Sequence, residues 1–303
     1  NKKNLKQHYE RCVKNEPRRT ETPYCSDKYL FFKNFNRKFL LNYVGFFDFE
    51  SIHTSQNCEK CKDMCNCNTQ VIAIQTPITY SLIILNKDLQ IDFQEKYTGY
   101  DCIDRFLESL QKIDERYSLI LNQIEPIQFT QLDLEDFNKS NICHICEEKI
   151  SQITQTKVRD HCHLTGKYLG PAHNECNLKR QEKKYIPFFC HNLSGYDGHF
   201  IIKALKYNNF KNISAIPYNT EKFRNIKLDN IILLDSFSFL SASLNELMTN
   251  LLQNKNHEFK ILDQMKLYPE NDDEAKQLIL RKGVYCYEFA TSLEILENTK
   301  EIP

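Results

Sequence analysis

An excess of either charge is the first thing this sequence lacks. Its 40 lysines and arginines are matched by 40 aspartates and glutamates over 303 residues, giving a formal net charge of zero. That excludes a chain that grips nucleic acid with its whole surface, so any basic surface must be local. No apolar run is long enough to span a bilayer, and no signal-peptide pattern is present. A soluble, intracellular protein with no membrane partner is therefore expected. No internal repeat is apparent, which sets repeat architectures aside. Cysteine, by contrast, is plentiful. There are 13, an odd number, and many fall in Cys-x2-Cys pairs. Without a secretory signal this favours thiols and metal sites over a disulfide framework. Apolar content of 41% with 26% charged residues is ordinary for a folded protein, here of one to three domains. The chain opens on Asn1 and closes on Lys300-Glu301-Ile302-Pro303, and reads as a fragment of a longer one.

The stretch Tyr43-Val44-Gly45-Phe46-Phe47-Asp48-Phe49-Glu50-Ser51 organises the rest. On a strand, Asp48 and Glu50 point to one face while Phe47 and Phe49 point to the other. Two acids side by side repel each other unless a cation sits between them. This is either a divalent-metal site at a strand end or an edge strand with a solvated acidic face. Ile78 to Leu85 reads as a buried strand pairing with the first. Residues 102 to 121 place Ile103, Phe106, Leu107, Leu110, Ile113, Tyr117 and Ile120 on one helical stripe. Tyr185 to Cys190 reads as a second apolar strand, running through Asn192 and Asp197 into a helix. Ile231 to Leu234 is a third, ending at Asp235. Helices are expected at Ser243 to Leu252 and from Asp272 to Lys282. The alternation argues an α/β (α+β) domain with a mixed sheet.

Four segments follow: a basic stretch over 1–40, a first domain part over 41–124, an insert over 125–182, and a second domain part over 183–303. In the first, His8-x3-Cys12 has the spacing of the second half of a zinc finger, with no Cys-x2-Cys before it. Cys58, Cys61, Cys65 and Cys67 either hold zinc or form a hairpin tip with free thiols. In the insert, Cys143-x2-Cys146 and His173-x2-Cys176 make a Cys3His set suited to tetrahedral structural Zn2+.

Between those pairs stands Asp160-His161-Cys162-His163, and Asn177 follows the last ligand. This layout resembles the recombination endonuclease VII family of His-Me finger nucleases, in which zinc holds together a strand pair and a helix. The resemblance implies a zinc-stapled ββα module with Asp160 and Asn177 on Mg2+. It also implies His161 as general base and Lys179 and Arg180 near phosphates. The chain departs from the family at Cys162, where an aspartate is usual, and at Arg180, where an acid is expected. Beside it stands the reading of a zinc-stapled DNA-binding insert that does not cut.

Asp48-Phe49-Glu50 and His191-Asn192-Leu193-Ser194-Gly195-Tyr196-Asp197 resemble the first two motifs of the 3′–5′ exonuclease domain of family B DNA polymerases. Leu233-Leu234-Asp235-Ser236-Phe237 and Lys282-Gly283-Val284-Tyr285-x-Tyr287 also match. The pattern is similar to the protein-primed polymerases of Polinton/Maverick transposons and their viral kin. Many of these carry an endonuclease VII-like insert in the same place. The resemblance implies an RNase H-like fold in which Asp48, Glu50 and Asp197 ligate two Mg2+ or Mn2+ ions. Asn192 would contact a single-stranded 3′ end and Tyr287 would orient the water. It implies DNA, the remainder of a polymerase chain and a terminal protein as partners, and the nucleus as location for a eukaryotic element. The third motif, Tyr-x3-Asp, falls on Thr291 when counted from Tyr287, which implies a weakened or lost exonuclease. Two other readings stand beside this one: a non-catalytic DNA-binding remnant, and a branch-cutting endonuclease working through the insert.

Overall fold

The computed structural model describes residues 2–14, 29, 32, 34–55, 73–151, 155–180, 183–207, 209–253, 258–265, 272–283, 285, 287 and 289–298. Residues 1–38 and 39–303 are two compact units. The first contains α1 (Lys2–Cys12), which carries His8 and Cys12, both exposed. The Cys58 to Cys67 cluster lies outside the described residues.

The second unit is a mixed α/β structure built on a seven-stranded sheet. β1 (Tyr43–Ser55), β2 (Ala73–Asn86) and β3 (Ile91–Thr98) form an antiparallel meander. The helix α2 (Cys102–Leu121) follows, then α3 (Gln131–Lys139), β4 (Lys157–His161), β5 (Tyr168–His173) and α4 (Asn174–Lys179) of the insert. β6 (Ile186–Cys190) returns to the sheet beside β1, and α5 (Asp197–Ala204) follows it. β7 (Ile213–Pro217), β8 (Phe223–Leu228) and β9 (Ile231–Asp235) complete the order β3-β2-β1-β6-β9-β8-β7. β6 is parallel to both β1 and β9, and the other neighbours are antiparallel. The remaining helices are α6 (Leu244–Gln253), α7 (Lys260–Met265), α8 (Asp273–Ile279) and α9 (Leu293–Asn298). Among the described residues no helix is long and apolar enough to cross a membrane.

Strand alternation sorts β1 into two faces. Gly45, Phe47 and Phe49 are buried, while Phe46 and Asp48 are exposed and Glu50 is half-buried. The buried face meets α2, where the Phe106 ring lies 4.9 Å from both Phe47 and Phe49 and 5.4 Å from Tyr80. The stripe expected for α2 is buried at Phe106, Leu107, Leu110, Ile113 and Tyr117, whereas Ile103 and Ile120 sit at its half-buried margins. A bulge between Glu50 and Ser51 breaks the alternation, so that Ser51 and Ile52 are both buried in succession. Ile52 then joins Ile78 and Ala290 in a second small core, onto which Tyr285, Leu293 and Leu296 pack.

β3, β7 and β8 are not expected from the sequence. β3 reads Ile-Asp-Phe-Gln-Glu-Lys-Tyr-Thr, a charged run, and β7 is exposed at every residue. Both are sheet edges, where burial imposes little pattern. The two ends of the insert are clasped where Lys184 Nζ donates to Asn122 Oδ1 at 3.0 Å.

Gly45 pairs with Phe188 across the parallel β1–β6 register, and a Cβ at position 45 would lie 2.3 Å from the Phe188 ring. Phe188 is fully buried and has no room to retreat. Gly45→Ala is therefore expected to cost about 1–3 kcal/mol by overpacking. The measurement is the urea midpoint, which should fall with an unchanged slope.

Candidate metal centres

Two groups of side chains among the described residues bring metal-ligating atoms within 4.8 Å of one another: Cys143, Cys146, His173 and Cys176, and Asp48, Cys190 and Asp197.

The first group staples the insert. β4 and β5 pair antiparallel, and His173 ends β5 as the residue before α4, so His173 and Cys176 come from one turn. Cys143 and Cys146 come from the opposite turn. His173 Nδ1 lies 3.4 Å from Cys146 Sγ and 3.7 Å from Cys176 Sγ. Burial raises the Cys143 thiol, but N–H groups of Cys146, His173 and Ile145 outweigh it and hold it below the usual thiol value. Cys176 is pushed up to about 12 by burial and by the neighbouring sulfurs. Three soft sulfurs and an imidazole could hold a metal ion such as zinc.

The nuclease-like residues of the insert are arranged differently from the expectation. Asp160 is buried, and Arg180 Nη1 reaches both its oxygens, at 2.7 and 2.6 Å, while His144 Nε2 lies 2.8 Å from Oδ2. Burial would raise this carboxyl, but His144 and Arg180 hold it below the usual range. Arg180 also sits over the Phe39 ring at 4.7 Å. Asp160, expected as a magnesium ligand, and Arg180, expected near phosphates, are thus paired with each other here. Asn177 is half-buried on α4. His161 is half-buried at the end of β4, its ring 4.9 Å from that of His163. Lys179 is exposed and lies 3.8 Å from Glu175.

Asp48 and Asp197 of the second group line a groove of about 790 Å³ that runs from the middle of β1 past the C-terminal ends of β6 and β9. Asp48, Glu50, Asn192, Asp197 and Tyr287, all expected at one site, do line it together. The loop that delivers Asp197 is tightly fixed. Asn192 is left-handed (φ 65°), and its Oδ1 lies 2.4 Å from where a Cβ on Gly195 would be. Asp235 at the end of β9 accepts from the N–H of Ser194 at 3.0 Å and from its hydroxyl at 2.5 Å. Tyr196 OH and Ser51 Oγ, 2.7 Å apart, tie the same loop to the bulge of β1.

Asp197 is 3% exposed. Its Oδ2 accepts from Cys190 Sγ at 3.2 Å, and among the described residues its Oδ1 has no partner. Burial, with the nearby charges of Asp48 and Glu50, pushes its carboxyl up to about 7. Burial raises Asp48 as well, and burial with the charge of Asp48 raises Glu50; Lys282 at the rim draws both partly back. The carboxylates of Asp48 and Asp197 come within 4.8 Å of each other and of the Cys190 sulfur, and Glu50 lines the same groove. A cation held there would satisfy the orphaned oxygen and lower these raised carboxyls.

Sequence reasoning did not anticipate Cys190 or Lys282 in this site, nor its apolar wall. Phe46, Phe189, Phe237, Phe239 and Leu240 line the groove beside the acids, with Phe189 6.0 Å from Phe46 and 5.7 Å from Phe239. The signal was present in strand parity, since Phe46 shares a face with Asp48. Tyr287 is stacked on His53 at 4.8 Å. Thr291 is exposed, and the groove lining does not include it.

Two outcomes are expected. Without metal, Asp197 binds its proton more tightly in the folded chain than in the unfolded one, where its carboxyl has an ordinary value near 3.8. Stability should thus fall as pH rises from about 4 to about 7 and then level off. Unfolding midpoints of Asp197→Asn across that range should show a flatter dependence. In the insert, Arg180→Ala leaves the Asp160 carboxylate buried without its cation, and should destabilise the module by about 3–5 kcal/mol. Amide exchange along β4 and β5 reads that loss, and exchange in β1 and β2 should be unchanged.

Compared with family models, with curated proteins and with solved structures, the chain has no match.

Proposed function

We propose that the groove is a divalent-metal-dependent phosphodiesterase centre that trims the 3′ end of single-stranded DNA, as the exonuclease region of a family B, protein-primed type of DNA polymerase. The observation that carries this reading is the buried Asp197 carboxylate, one oxygen without a partner among the described residues, within 4.8 Å of Asp48 in an aromatic groove that Glu50 also lines. The meander β3-β2-β1 continued by parallel β6 and β9, with acids gathered at one end of the sheet, supports an RNase H-like architecture.

Asp48, Glu50 and Asp197 would hold Mg2+ or Mn2+. Bound there, such ions supply neutralisation of phosphate charge and a water of lowered pKa. The chain's own residues supply the rest. The exposed faces of Phe46, Phe237 and Phe239 give bases a surface on which to stack irrespective of sequence. Asn192, held in one conformation over Gly195, offers an amide to the terminal nucleotide. Tyr287 stands on the opposite wall near Glu50 and Asp48, with its hydroxyl kept protonated, first by burial and then by those charges. It is placed to orient a water. Lys282 adds a cation at the rim, where phosphate would pass.

For the insert, the Arg180–Asp160 pair, in which Nη1 is shared between both carboxylate oxygens, favours a zinc-stapled DNA-binding module over a nuclease. A guanidinium already neutralises the carboxylate that the nuclease reading assigns to a metal.

A 5′-labelled single strand incubated with the chain and Mg2+ should shorten stepwise from its 3′ end. Asp48→Asn and Asp197→Asn should each abolish shortening, by at least about a thousandfold if the metal is lost, and His161→Ala should leave it unchanged. Shortening that survives Asp197→Asn would sink the proposal.

A further inference from the structure

Cys190 has no part in that reading, yet it touches the residue on which the reading turns. It is the last residue of β6, 2% exposed, and belongs to the main apolar core. Its sulfur is 3.2 Å from Asp197 Oδ2 and 3.9 Å from the carbonyl of His191. A thiol has one hydrogen to donate, and the nearer, charged acceptor is the carboxylate. The consequence lies on the other oxygen. With Oδ2 held against β6, the carboxylate is fixed within 4.8 Å of Asp48, and its buried Oδ1 has no partner among the described residues. A side chain placed here only to fill the core would not aim its one polar atom at a buried acid. A thiol meets both requirements, being small and apolar enough to pack and still able to donate.

We propose that Cys190 is a positioning residue: its S–H holds one oxygen of Asp197 and thereby fixes the carboxylate close to Asp48, which sets the affinity of the centre for a divalent cation. This rests on the reading of the acid centre as a cation site. Partners that orient a ligating carboxylate govern metal affinity without touching the metal.

The test is a Mn2+ titration of the zinc-loaded full chain, followed by electron paramagnetic resonance. Asp197→Asn defines which bound Mn2+ belongs to the centre. Cys190→Val keeps the packing and removes the donor, and should weaken that site about tenfold. Cys190→Ser keeps a donor and should restore affinity close to that of the unaltered chain. Cys190→Ala serves the same purpose should the valine variant not fold. Unaltered affinity in the valine or alanine variant overturns the proposal. So does equal loss in the serine variant, which would make the effect one of packing. A thiolate-to-metal ultraviolet band with Cd2+ that disappears in Cys190→Ser would make the sulfur a ligand rather than a positioner, and also overturns it. If the unaltered chain and Asp197→Asn bind the same number of Mn2+ ions, the cation-site reading itself fails and the proposal with it.

Discussion

One backbone strand has to satisfy two opposite solvents. β1 must turn aromatic rings into a core shared with α2 and, one residue later, turn carboxylates into a polar groove. Period-two alternation makes this possible, because the charges are kept on the face that the rings do not use. The cost appears where the strand meets its parallel neighbour. The ring of Phe188 on β6 lies over Gly45 so closely that only a residue without a Cβ fits beneath it.

Electrostatics then separates the two metal-ligand clusters from the Asp160 site. At the groove, three carboxylates lie close together with one lysine at the rim, and all three are pushed toward their protonated forms. At Asp160, a comparably buried carboxylate is pushed the other way, because a guanidinium and an imidazole lie against it. The first site is short of positive charge and the second is not. Two acids that look equally like metal ligands in the sequence therefore carry different chemistry, decided by a residue 20 positions downstream of Asp160.

Much of this was legible beforehand. Asp48 and Glu50 share a face because strand parity requires it. The α2 stripe follows from helical spacing, and the Cys143 to Cys176 ligands from two tight turns. What was not legible depends on contacts between distant segments. Arg180 reads as a free cation on a short helix until the fold carries it onto Asp160. The docking of Ala290 against Ile52 and Ile78, which packs the segment around Thr291 onto β1 beyond Glu50, is likewise a contact that no local pattern announces. Cys190 reads as one more apolar residue closing a strand, since nothing local says that Asp197 will fold back upon it. The edge strands β3 and β7 were missed for a simpler reason: with little burial, there is little pattern to find.

The clasp between Asn122 and Lys184 has a kinetic meaning. β6 cannot pair with β1 until the whole intervening segment has been closed into a loop, and closing a long flexible loop carries an entropic cost that grows with its length. A segment that first compacts around its own cysteines behaves as a much shorter connection, with its ends already close together. The order of assembly should then run from the insert to the parallel strand pair, and only last to the groove. The cysteine-rich insert then serves partly as a folding aid, by drawing together two parts of the sheet that the sequence keeps far apart.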